Sequence, residues 1–268
     1  MTLVDTHCHL DFDSFDADRT DVIARAVAMG VSRMLNPSVD LENSANVIQL
    51  AETFGPVNAA VGVHPNDCQE WNSDTVTKLK ELAQNRKVVA VGEIGLDYYW
   101  EKTPKDLQKS VFQAQLDLAT DLGLPVIVHN REAGEDVLDI LLKWQASLEE
   151  MNSPLASRPG VLHSFSGDRQ MADKAVAASF FIGLTGPLTF KNAKSLQEIA
   201  TDLPLENLLI ETDSPFLSPH PERGQRNEPA RVKLVAEKLA ELKSLAYTEV
   251  ETATTFNAER LFRFAEHQ

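Results

Sequence analysis

Cysteine is scarce in this chain: Cys8 and Cys68 are the only two among 268 residues. That excludes a disulfide framework and fits a reducing compartment. No apolar run approaches the length of a membrane span, so no membrane association is expected. No basic segment followed by an apolar one precedes the first functional-looking residues. A cleaved leader would remove those residues, so a cytoplasmic protein is expected. Linkers rich in glycine, serine or proline are missing, as are charge blocks, which favours one domain over residues 1–268. Basic residues are outnumbered, 25 Lys and Arg against 40 Asp and Glu, for a net charge of −15. This points away from a non-specific polyanion binder, which usually carries a basic surface. A polyanionic substrate stays open, because bound divalent ions supply positive charge where it is needed.

What is present is a regular alternation. Short apolar runs lie at Leu3–Asp5, Arg33–Asn36, Asn58–Val63, Val88–Glu93, Val126–His129, Gly160–His163, Phe180–Leu184 and Leu208–Glu211. Helix-periodic stretches near 18–29, 41–53, 74–84, 104–122, 133–150, 169–178, 192–201, 228–243 and 248–264 separate and follow them. In 104–122, Leu107, Val111, Ala114, Leu118 and Leu122 share a face, with Thr103 as the expected cap and Pro104 in the first turn. Eight apolar runs alternating with helices predict parallel strands buried on both faces. An open doubly wound sheet would carry a glycine-rich phosphate loop after its first strand, and none exists here. Polar residues instead end strands spread over the whole chain. This predicts a (β/α)8 TIM barrel with an extra C-terminal helix, whose catalytic groups gather at one rim.

The first run closes on Val4-Asp5-Thr6-His7-Cys8-His9, and alternation places His7 and His9 on one face. Later runs close on Val63-His64-Pro65, Gly92-Glu93-Ile94-Gly95-Leu96-Asp97, Val128-His129-Asn130-Arg131, Leu162-His163 and Glu211-Thr212-Asp213. Ionisable groups at so many buried strand ends need a shared partner, because an unpaired buried charge is costly. A metal centre supplies one. His7, His9, Glu93, His129, His163 and Asp213 exceed what one catalytic ion uses while keeping a water position. Two divalent ions are therefore expected, with Glu93 bridging them. His7, His9, Glu93 and Asp213 are assigned to the first, and Glu93, His129 and His163 to the second. Mixed imidazole and carboxylate ligands suit Zn or Mn, and also Co or Fe, while Mg prefers more oxygen.

Segments 3–11, 125–136 and 208–215 resemble the three signature segments of the TatD family of metal-dependent deoxyribonucleases, within the amidohydrolase superfamily. Gly92 to Tyr98 and Arg223 to Pro229 fit the same pattern, and the likeness runs across the chain. The resemblance implies a TIM barrel that hydrolyses DNA phosphodiester bonds, often from an end, with Zn, Mn or Mg as candidate ions. DNA or another phosphoester is the expected substrate, with no obligatory protein partner.

Neighbouring residues take roles from their chemistry. Asp213 is expected to orient the attacking water and accept its proton. Arg131 suits a phosphate, its alternative being a salt bridge to Glu132, Glu135 or Asp136. His64 suits a phosphate oxygen or protonation of the leaving group, or a turn before Pro65. Tyr98, with Tyr99 and Trp100, offers rings on which bases stack, or packs its own loop. Arg226 and Arg223 suit a phosphate backbone or a solvated loop, with Asn227 as a helix cap. Glu211 suits a barrel-lining partner, and His220 packing of its loop. His267 is expected to be solvent-exposed, and the two cysteines structural. A small ester, lactone, amide or phosphoester is the alternative substrate on the same fold and metals. No lysine ends the fourth or fifth run, which leans against barrels bridged by a carboxylated lysine.

Overall fold

The structure, a computed structural model, describes residues 2–264. Eight parallel strands form one sheet in chain order: β1 (Leu3–Asp5), β2 (Val31–Pro37), β3 (Val57–Val61), β4 (Val88–Asp97), β5 (Val126–Arg131), β6 (Gly160–Leu162), β7 (Phe181–Leu184) and β8 (Leu208–Ile210). Eight helices follow the strands in turn: α1 (Arg19–Ala28), α2 (Leu41–Thr53), α3 (Ser73–Leu82), α4 (Lys105–Leu122), α5 (Gly134–Glu150), α6 (Arg169–Ala177), α7 (Lys194–Asp202) and α8 (Val232–Lys243). An extra helix, α9 (Tyr247–Phe262), ends the described chain. The architecture is the (β/α)8 barrel.

Its seam closes outside the regular ladder. Thr6 N donates to Ile210 O, Asp213 N to His7 O, and Cys8 bridges Ser214. The buried Asp5 carboxylate accepts from Thr212 N at 2.9 Å and Thr212 Oγ1 at 2.6 Å, tying the first strand to the last. Strand alternation splits the core in two. Leu3, Met34, Ala59 and Val91 face the helices, whereas Val4, Leu35, Ala60, Ile127, Phe181 and Leu209 fill the barrel. Ala258, Leu261 and Phe262 of α9 join the inner set, so the extra helix plugs the end where the strands begin. The opposite rim is left to the site.

Local chemistry sets the helix ends. Asp40 and Asp168 accept from backbone N–H groups in the first turns of α2 and α6, and Gly123 takes a left-handed φ of 65° to end α4. Two expected caps are corrected. Thr103 instead donates to Asn66 O, and Asn227 donates to Thr212 O and Phe216 O, holding the loop after β8. β4 runs four residues beyond Glu93, because its ladder with β5 continues to Asp97 opposite Arg131. Among the described residues no helix is long and apolar enough to cross a membrane.

Candidate metal centre

The strand ends bring their polar side chains together at one cavity of about 980 Å³ at the C-terminal rim, lined by His9, Glu93, His129, His163 and Asp213 with His7 fully buried. His7 and His9 follow β1, Glu93 and His129 lie within β4 and β5, His163 follows β6, and Asp213 stands three residues past β8. The backbone turns sharply at Asp213, whose φ of 55° a short carboxylate side chain tolerates. The Nε2 atoms of His7 and His9 are 3.2 Å apart. They stand 3.4 and 3.8 Å from Glu93 Oε2, and both lie 3.7 Å from Asp213 Oδ1. Glu93 Oε1 lies 2.8 Å from His129 Nδ1, and His163 Nε2 is 3.7 Å from Asp213 Oδ1. The ring of His163 stacks on that of His7 with centroids 3.4 Å apart.

These residues fit a metal centre. Donors held about 2.0–2.2 Å from one tetrahedral ion stand roughly 3.3–3.6 Å apart, close to the separations within the His7, His9, Glu93 and Asp213 group. Two imidazoles whose Nε2 atoms meet can share one hydrogen, and burial opposes charging His7. A cation resolves that conflict. Among the described residues the Nδ1 atoms of His7 and His9 have no hydrogen-bond partner. The other two rings are held from behind. Glu211 Oε2 accepts from His163 Nδ1 at 3.0 Å, and Asp97 Oδ2 lies 3.2 Å from His129 Nε2. A carboxylate behind an imidazole fixes its tautomer and raises the basicity of the nitrogen facing the ion. Burial lowers the affinity of both rings for protons, but the carboxylates win and carry each pKa up to about 9. Glu93 is the converse case. Burial pushes its carboxyl up, and the surrounding imidazoles, His7 foremost, outweigh that and hold it well below the usual carboxylate range.

His64 lies within 4.0 Å of Glu93 Oε1 and forms a trio with Glu93 and His129. Its Nδ1 accepts from Asn66 N at 3.1 Å, which leaves the ring hydrogen on Nε2 and removes that atom's lone pair. His64 is thus placed as a donor rather than a ligand. Burial and the neighbouring His129 push its pKa down to about 3, which favours a neutral ring that donates a hydrogen bond.

Two expected substrate contacts are also corrected. Tyr98 turns away from the cavity; its hydroxyl donates to Asp136 at 2.6 Å, and Lys105 lies over its ring. Arg226 forms a two-pronged pair with Asp18, at 2.8 and 2.7 Å, and donates to Ser14 O. Arg223 lies over the Phe190 ring, and His220 N donates to Thr189 in its loop. Arg131 reaches the cavity wall, where its guanidinium rests 3.9 Å over the Tyr99 ring; among the described residues it pairs with none of Glu132, Glu135 and Asp136. Cys8 and Cys68 are buried with thiols pushed up by burial, Cys68 to about 12, so neither is a nucleophile. His267 lies outside the described residues.

Sequence reasoning missed Asp97 and Gly183. Asp97 was findable, since Glu93, Gly95 and Asp97 alternate along one strand. Gly183 was not: a Cβ there would stand 2.4 Å from Glu211 Oε1, so only glycine leaves room for the carboxylate that holds His163. Gly183→Ala is expected to weaken metal binding or activity about 10–100-fold, the usual cost of disturbing a ligand's support. Metal titration of a variant with unchanged circular dichroism checks this, and wild-type affinity and rate would show that Glu211 is dispensable.

A family model described as TatD related DNase matches residues 4–263. YabD of Bacillus subtilis, described as an uncharacterized metal-dependent hydrolase, is 43% identical over 261 residues, covering 97% of this chain and 99% of that one. YcfH of Escherichia coli K12, described in the same words, is 40% identical over 98% of this chain and 96% of its own. The crystal structure of YJJV, a TatD homologue from Escherichia coli K12, superposes with a TM-score of 0.89 at 34% identity, over 98% of both chains. A phosphotriesterase homology protein from Escherichia coli, complexed with phosphate, shares the fold at 14% identity and a TM-score of 0.70.

Proposed function

The chain belongs to the TatD-related family of metal-dependent hydrolases, and from that membership we propose that it hydrolyses phosphodiester bonds of DNA, working from a strand end. The observation that carries this reading is Arg131. A guanidinium without a carboxylate partner among the described residues, on the wall of a cavity floored by metal-ligand side chains, is matched to a phosphoryl group.

Two divalent ions, of zinc, manganese or magnesium, are proposed, with His7, His9, Glu93 and Asp213 holding one and Glu93, His129 and His163 the other. When bound, such ions supply water acidified toward neutral pH and positive charge against phosphoryl oxygens. The protein does the rest. Asp213 orients the attacking water and takes its proton as the new P–O bond forms. Arg131 holds two phosphoryl oxygens in its planar fork. His64 offers its Nε2–H as a hydrogen bond to a phosphoryl or departing oxygen, and solvent protonates the leaving group. Glu211 and Asp97 keep the His163 and His129 rings in place.

The test is a panel of single-stranded DNA, duplex DNA, RNA, lactones and p-nitrophenyl phosphoesters, each with Mg, Mn and Zn. Metal-dependent release of nucleotides from DNA ends is expected. Turnover confined to lactones or neutral esters would overturn the reading. Arg131→Ala is expected to lower kcat/KM on DNA by roughly 10–100-fold, in line with the loss of charge-assisted hydrogen bonds to phosphate, with metal content retained. Equal losses on DNA and a neutral ester would show that Arg131 has only a structural part.

A further inference from the structure

Large apolar side chains gather at the mouth of this cavity at unusual exposure. Trp100 is 48% exposed, Phe216 52% and Leu217 36%, and Tyr99, 48% exposed, packs edge-on against Trp100. Isolated exposed apolar residues need no explanation, but a set gathered at one cavity marks a surface that a ligand covers. The set falls into two parts. Trp100 and Tyr99 follow β4 beside Arg131 of β5, and Phe216 follows β8 beside Phe12, which follows β1. In a barrel whose strands run in chain order, the β4–β5 side lies across from the β8–β1 side. The metal-ligand side chains lie on the floor between them.

Both parts are preorganised. Asp97 Oδ1 accepts from the backbone N–H groups of Tyr99 and Trp100, each at 3.0 Å, which pins the turn that carries the indole. The Arg131 guanidinium lies over the Tyr99 ring and 5.5 Å from the centre of the Trp100 ring. On the far side Phe12 stacks on His9, with centroids 4.6 Å apart, and meets Phe216 edge-on. Trp100 and Phe216 thus line the same cavity, one on the β4–β5 side and the other on the β8–β1 side.

The geometry points to a nucleobase on each side of the scissile phosphate, one resting on Trp100 and the other on Phe216. This rests on the phosphodiesterase reading above. A phosphate reaches the buried floor only if the strand bends into the cavity, and the flanking bases must then leave their stack. Aromatic faces at the rim replace the lost stacking, and they do so for any base. Bases held in a duplex are not free to meet either wall.

The test uses oligothymidylates that carry one abasic residue, placed on one or the other side of the cleaved bond. Loss of one base–aromatic contact corresponds to roughly a tenfold to hundredfold change in kcat/KM. Wild-type enzyme is expected to lose that much with either abasic substrate. Trp100→Ala is expected to lose it on the intact strand and to become indifferent to the abasic residue on one side only. Phe216→Ala is expected to become indifferent on the other side only, and Trp100→Phe to recover most of the rate. A readout without turnover comes from the metal-free protein, whose tryptophan fluorescence should be quenched by single-stranded oligonucleotide, less by duplex, and much less in Trp100→Ala. If DNA is cleaved but both variants stay as sensitive to abasic residues as wild type, the base contacts are refuted and the phosphodiesterase reading survives. Quenching without any cleavage would leave the base contacts standing and refute the chemistry. Neither quenching nor cleavage would refute both.

Discussion

Asp213→Asn is expected to cut kcat about 10²–10⁴-fold at saturating metal, the range that a positioned general base contributes. Asn nearly preserves size and tolerates the positive φ at this position, so the fold should stand. What it removes is charge and basicity. The Asp213 Oδ1 atom lies 3.7 Å from the Nε2 atoms of His7, His9 and His163, on the edge of the ligand cluster nearest the open cavity. From there one carboxylate can serve a metal and its water together. Elemental analysis and kcat on the same loaded sample separate the two duties. Added metal that restores the rate would reduce Asp213 to a ligand. Near-wild-type turnover in a fully loaded variant would move the proton acceptor elsewhere.

Glu93→Gln should be as damaging, by a different route. Among the described residues Glu93 is the one carboxylate whose two oxygens face separate imidazoles, with Oε2 3.4 Å from His7 and Oε1 2.8 Å from His129. Removing its charge leaves three buried rings around a neutral amide. If Glu93 bridges the two proposed ions, the affinity for each is expected to fall by at least about 100-fold, a shared charge being a stronger loss than a disturbed support, and turnover should vanish at ordinary metal concentrations. Calorimetric titration with Mn or Zn checks this. The loss of a single binding event would assign Glu93 to one site and deny the bridge.

Much of this protein is readable from its sequence because the signals are local. Alternation of apolar runs with helical periods follows from the geometry of neighbouring residues, and it determined the barrel and the extra helix. The ligand candidates were legible for a related reason. A buried strand end has no ordinary use for His, Glu or Asp, so each such residue announces a partner. That inference needs only the residue, its strand and the cost of an unpaired charge. The parallel order of strands, combined with those ends, even named the rim at which the partner sits.

What the sequence could not decide is whatever depends on meetings between distant segments. Asp5 closes the seam with a residue 207 positions away, and Glu211 holds a histidine 48 positions away in a space kept open by Gly183. Nothing local distinguishes Arg131 from Arg226. Only the tertiary structure shows that one faces the cavity beside Tyr99 while the other is paired to Asp18. The three aromatics after Glu93 divide in the same way, Tyr98 turning to Asp136 and Trp100 to the cavity. The tautomer of His64 rests on one backbone N–H two residues ahead, within a turn whose shape its sequence left open. Sequence fixes residue types and spacing, and from these the strand, the face and the chemistry follow. Pairing, tautomer and exposure are set by neighbours that only the closed barrel brings together.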